Sequence, residues 1–122
     1  MPLQAALEVR FLADANLNQK IVRGLLIGEP AIDFERPETM IPERTPDPQV
    51  LDLAESLGRV LVTHDLSTMP GWFQQYVEER RCAGLILVPD KLPIRDAIED
   101  LLPIWHLIEA EEWVNHTQGL PL

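Results

Sequence analysis

A chain of 122 residues is long enough for one hydrophobic core and too short for two. Twenty acids against ten bases leave a net charge of −10. That excludes nucleic-acid binding driven by a broad basic surface, although a cation held by clustered acids would still bring a phosphate in. The single cysteine, Cys82, excludes an internal disulfide and fits a reducing cytoplasm. No apolar run approaches the roughly 20 residues of a membrane span, and the N-terminus lacks the basic-then-apolar order of a signal peptide.

In chain order, residues 7–13 alternate at first and then turn wholly apolar, predicting a first strand over about residues 8–13 that ends at Asp14. Leu17, Ile21 and Leu25, widened by Val22 and Leu26, then predict an amphipathic helix with Asn16 as its N-cap and Gly28 as its stop. Residues 31–35 alternate and read as a short edge strand. Prolines at 37, 42, 46 and 48 make residues 36–48 one long loop. Asp47-Pro48 signals a helix start, Asp47 at the N-cap and Pro48 at the first turn, with the helix running to Gly58.

Val60 to Thr63 is an uninterrupted apolar and β-branched run, the signature of a strand buried on both faces. It delivers Thr63, His64 and Asp65 in succession. Leu66 to Gly71 reads as a turn-rich link. Trp72, Phe73, Tyr76 and Val77 then predict a helix to about Arg81 whose aromatic stripe belongs to the core. Residues 84–88 predict a fourth strand, and Cys82, just before it, a small buried residue. Ile94, Ile98, Leu101, Trp105 and Ile108 predict a long helix kinked or split at Pro103, and the tail from Trp113 adds a short edge strand. Strand alternating with helix predicts an α/β fold: one Rossmann-like domain over residues 1–122, with a mostly parallel sheet of four to five strands flanked by helices.

Asp14, Asp47 and Asp65 stand out together. Two follow core strands, and the third opens the helix that leads into the second of those strands. If the first and third strands are neighbours, the strand-end acids share one crevice at the carboxyl end of the sheet, where open parallel sheets bind ligands. Converging carboxylates repel unless a hard divalent cation such as Mg2+ or Mn2+ joins them, and the matching reaction is metal-assisted phosphodiester hydrolysis. Asn16, Thr63 and His64 are candidates for orienting water or phosphate. Three of these residues also have a structural role available: Asp14 as a capping or turn acid, Asp47 as a cap, His64 as a surface or packing imidazole.

Phe11-Leu-Ala-Asp14, Asp47-Pro-Gln-Val-Leu-Asp-Leu-Ala54 and Gly58-Arg-Val-Leu-Val-Thr-His-Asp65 resemble the PIN-like domains, in particular a short family often encoded in toxin–antitoxin modules. The likeness runs over about residues 9–90. It implies a Mg2+- or Mn2+-dependent ribonuclease, with metal-binding and catalytic roles for Asp14, Asp47 and Asp65 and an antitoxin as protein partner. The chain departs from the pattern in two places. The glutamate expected between the first and third motifs has no clear counterpart, Glu35, Glu38 and Glu43 being candidates by position. After Thr-x-Asp, where x-Asp-Phe is common, this chain has Leu66-Ser67-Thr68. A competing reading is a catalytically silent module of the same fold, forming a dimer or partner complex through the helix Ile94–Ile108. A third, a phospho-acceptor domain using Lys91, lacks the adjacent acids expected after the first strand.

Overall fold

The computed structural model describes residues 8–36 and 45–122. The elements are β1 (Phe11–Ala13), α1 (Gln19–Gly28), β2 (Phe34–Glu35), α2 (Asp47–Leu57), β3 (Val60–Thr63), α3 (Met69–Glu79), β4 (Leu85–Leu87), α4 (Ile94–Leu107), α5 (Ala110–Trp113) and β5 (Thr117–Gly119). The strands form one five-stranded sheet in the order β2-β1-β3-β4-β5, parallel throughout. The α/β, Rossmann-like architecture expected from the alternation of elements is what the chain adopts. The two short strands expected at edges, β2 and β5, are the edges.

The order follows from which strands can be covered on both faces. Phe11, Leu12, Ala13, Val60, Leu61 and Val62 are all buried, so β1 and β3 take the interior of the sheet. Alternate residues then divide between two cores. Phe11, Ala13, Val60, Val62 and Ile86 pack with Ile21, Val22 and Leu25 of α1 and with Ala97, Leu101 and Ile104 of α4. Leu12, Leu61 and Leu85 pack with Val50, Leu51 and Ala54 of α2 and with Met69 and Phe73 of α3. Cys82 lies in this second core, as a small apolar residue would.

After β1 the chain steps outward to β2, and after β2 it returns past β1 to β3. The reversal opens a crevice between the carboxyl ends of β1 and β3. The ladder continues one residue beyond β1, the Asp14 N–H donating to the Val62 carbonyl at 2.9 Å. Asp14 is thereby fixed at the mouth of that crevice. At the other end of β3, buried Arg59 donates to the Phe11 carbonyl at 3.1 Å and pairs with Asp33 at 2.7 Å, tying the amino ends of three strands together.

Three local expectations change. The cap of α1 is Asn18, whose side chain accepts from the Lys20 N–H at 2.9 Å, and not Asn16. The chain leaving β1 first makes a turn closed by Leu17 N–H on the Asp14 carbonyl at 3.0 Å, which delays the helix by two residues. Asp47 is the first helical residue of α2, behind Pro46, and makes no capping hydrogen bond. The third helix starts at Met69, inside the stretch read as a link, because Met69 is fully buried and Pro70 suits a first turn. Of the kink or split expected at Pro103, the split is not made, and α4 runs through it. Pro103 removes the N–H that the Glu99 carbonyl would accept, but buried Leu101 and Ile104 pin the helix to the core on either side.

Of the proline-rich loop 36–48, residues 37–44, which include Glu38 and Glu43, lie outside the described residues. Among the described residues no helix is long and apolar enough to cross a membrane.

Candidate functional site

Asp14 is buried, and both of its oxygens have donors. Oδ1 accepts from the Ala15 N–H at 2.8 Å, and Oδ2 accepts from the Thr63 hydroxyl at 2.7 Å. Thr63 is fully buried at the end of β3. Its hydroxyl oxygen also accepts from the Asp65 N–H at 3.0 Å and lies 3.2 Å from Oδ1 of Asn16. A hydroxyl has one proton to give, and the shorter, charge-assisted contact to Asp14 takes it. One threonine thus joins the acid after β1 to the acid after β3. Asn16 is exposed, and its Oδ1 accepts from the His64 N–H at 3.3 Å.

Asp65 turns back on the start of α3. Its Oδ1 accepts from the Ser67 N–H and hydroxyl, both at 3.1 Å, and from the Thr68 N–H at 2.9 Å. Its Oδ2 accepts a short hydrogen bond from the Thr68 hydroxyl. Burial alone would push the Asp65 carboxyl up, but these donors outweigh it and hold the group below its ordinary value of 3.8. The Thr68 oxygen also lies 3.2 Å from Oδ2 of Asp47. Asp47 is pushed the other way. Burial is the largest cause, Thr68 opposes it, and the negative charges of Asp65 and then Asp14 add to it. So the three acids share one electrostatic environment, with Asp47 the one that carries its repulsion.

His64 has both ring nitrogens engaged. Nε2 accepts from the Asn18 N–H at 3.1 Å, which puts the ring proton on Nδ1, where it donates to the Val88 carbonyl at 2.7 Å. The expectation that His64 orients water gives way to a bracing role, because neither nitrogen is left over for solvent. Glu35, a candidate for the missing glutamate, lies 3.8 Å from the Arg59 guanidinium, at the opposite end of β3 from Asp65.

Asp14, Asn16, Asp47, Thr63 and Asp65, the candidates expected from the sequence, lie together here, joined by Thr68, which was not among them. A signal for it was present. Asp followed by Ser and Thr two and three residues later, just before a proline-marked helix start, is the pattern of a carboxylate capping a first turn.

Every donor in the cluster is a hard oxygen, from carboxylate, hydroxyl or amide, the set that suits Mg2+ or Mn2+ over softer metals. Among the described residues no three His, Cys, Asp or Glu side chains are already gathered tightly enough to enclose a metal ion. Mg2+ does not require that, since it commonly keeps several waters and takes one or two carboxylates. The pair bridged by Thr68 offers that number. Comparison with protein-family models, with curated proteins and with solved structures finds no match to this chain.

Proposed function

We propose that the chain is a Mg2+- or Mn2+-dependent ribonuclease of PIN-like type, cytoplasmic, acting as a toxin restrained by an antitoxin protein. The observation that carries this reading is the gathering of three carboxylates, Thr63 linking Asp14 to Asp65 and Thr68 lying between Asp65 and Asp47. The Asp47 carboxyl is raised by burial and by the charges of both Asp65 and Asp14, at the crevice where the strand order reverses. Asp47 and Asp65 would hold the cation directly, and Asp14 would act beside them. When bound, such a cation supplies charge neutralisation at a phosphate and acidification of water. Thr63 holds Asp14 in place, and exposed Asn16 is the polar group best set to orient a water or phosphate oxygen. The exposed Ile27 and Leu107, late in α1 and α4, are apolar side chains available for contact with a partner or a second copy of the chain.

The test is cleavage of single-stranded RNA with and without Mn2+. Asp14→Asn and Asp65→Asn should abolish metal-dependent cleavage while leaving the fold intact. Activity equal to wild type in either variant overturns the reading.

A catalytically silent module is favoured by a different observation: both oxygens of Asp14, and both of Asp65, already have protein donors. On that reading the acids organise the carboxyl end of the sheet, and titration with Mn2+ gives no binding heat. On that reading α4 keeps its buried side on the chain's own core and offers exposed Leu107 to the partner.

A further inference from the structure

We propose that a cavity at the amino end of the sheet binds a free α-amino acid with a branched aliphatic side chain. The site is independent of the acid cluster, which lies at the other end of β3.

The cavity opens where the chain enters three strands. Val9 precedes β1, Val60 begins β3 and Ala83 precedes β4, and with Val114 they form an apolar wall. Val9, Val60 and Ala83 are buried. The volume, about 320 Å³, lies at the small end of the ~300–1,000 Å³ range of sites that enclose whole small molecules. Valine and alanine walls around such a space suit a short branched aliphatic group.

Arg10, Glu55, Arg81 and Glu111 also line the cavity, and they do not neutralise one another in place. Arg81 sits between two acids, 3.6 Å from Glu55 and 3.5 Å from Glu111. Both contacts are longer than the roughly 2.7–3.2 Å of a good hydrogen bond, so each carboxylate keeps lone pairs to offer. Two acids on one cation leave a negative charge over. Arg10 has the opposite surplus. Among the described residues no carboxylate pairs with it, and its guanidinium donates to the Leu57 carbonyl at 3.2 Å. Gly58 gives that guanidinium its seat, since a Cβ there would come within 2.8 Å of Arg10 Nη2. Glu55 stands three residues before Gly58, one turn of α2 or about 4.5 Å along the axis.

A positive and a negative surplus about one turn apart, beside an apolar wall, match the carboxylate, ammonium and side chain of an α-amino acid. The ligand carboxylate takes the Arg10 fork, which suits paired hydrogen bonds. Its ammonium, a donor only, takes Glu55 and Glu111, which are acceptors only. A simple anion would leave the acid surplus unmatched, and a simple cation would leave Arg10 unmatched.

The experiment is calorimetric titration of the full chain with L-leucine, carried to about 10 mM to capture a Kd of about 1 mM or tighter. One leucine should bind per chain. 4-Methylpentanoate lacks the ammonium and 3-methylbutylamine lacks the carboxylate; each should bind at least about tenfold more weakly, the loss of one charge-assisted contact. Arg10→Ala should weaken leucine binding about tenfold or more, and Arg10→Lys should recover part of the loss. Glu111→Gln leaves Arg81 a single acid, removes the negative surplus and should weaken binding too. Thermal melting should show the variants folded, and the two analogues decide the matter on wild type alone if Arg10→Ala is not. No heat from leucine, equal binding of either analogue, or equal binding by a folded Arg10→Ala each overturns the proposal.

Discussion

The Thr63 hydroxyl donates to Asp14 across the seam between β3 and β1 at 2.7 Å, and it does so from a fully buried position. Replacing Thr63 by Val keeps the shape and removes the donor. Asp14 then loses the partner of Oδ2, and the Asp65 N–H loses its acceptor. The expected cost is about 1–3 kcal/mol, that of leaving buried polar groups unsatisfied. Thr63→Ser keeps the hydroxyl and should cost about 0.8 kcal/mol, one buried methyl. Urea unfolding of the two variants checks the difference. Equal stabilities would mean that the hydroxyl organises nothing.

Asp47 and Asp65 should respond to pH in opposite directions. The folded Asp65 carboxyl lies below its ordinary value of 3.8, so the stability it contributes is present above that value and is lost as pH falls through the lower, folded one. The folded Asp47 carboxyl lies above 3.8, so its ionisation opposes folding, and acidification through its raised value relieves that opposition. In metal-free buffer Asp47→Asn should therefore be at least as stable as wild type at neutral pH, with the difference vanishing in acid. Asp65→Asn should be less stable at neutral pH, and wild type should lose that advantage at the acid end. Chemical unfolding between about pH 3 and pH 7 reads both signs.

Divalent cations should stabilise the folded chain. At a Mn2+ concentration of about 100 Kd, mass action adds about 2.7 kcal/mol, a melting shift of several degrees for a domain of this size. Asp47→Asn and Asp65→Asn should each reduce the shift. A wild-type melting temperature indifferent to Mn2+ would remove the metal from the proposal.

Tyr76 is the only tyrosine, so absorbance of its phenolate reads one residue without assignment. Burial first, and then the hydrogen bond and charge of Asp52, push its hydroxyl from 10.0 up to about 12. Asp52→Asn should move the midpoint partway back, since burial remains. Rapid mixing into alkaline buffer, read before unfolding, makes the measurement. A midpoint near 10 in the wild type would mean that Tyr76 is neither buried nor held by Asp52 between α2 and α3 in solution.

The parts of the molecule legible in the sequence are those where burial dictates the pattern. Val60–Thr63 could only be a central strand, and the strand-end acids followed from where the apolar runs stop. The misplaced features turn on competition between near-equivalent choices. Asn16 and Asn18 are both good caps, and the turn after Asp14, not any propensity, decides between them. Asp47-Pro48 suits a cap at Asp47, but Pro46 in extended conformation takes that place, which turns the Asp47 side chain toward Thr68. The role of Thr68 needed the distance between two helices, which no local pattern carries. Trp72 and Phe73 are interchangeable in a helical stripe until tertiary packing selects one of them for the core, and it selects Phe73.

The His64 ring gives a readout of its own. It takes the Asn18 N–H at the entry to α1 and gives its Nδ1 proton to Val88 just beyond β4. A half-buried ring proton held in this way exchanges slowly with water and should give its own resonance far downfield in a nuclear magnetic resonance spectrum. It belongs to no acid in the cluster, yet it persists only while α1, β3 and β4 keep their places. It is therefore a built-in, label-free reporter of whether the carboxyl end of the sheet stays assembled when a ligand arrives.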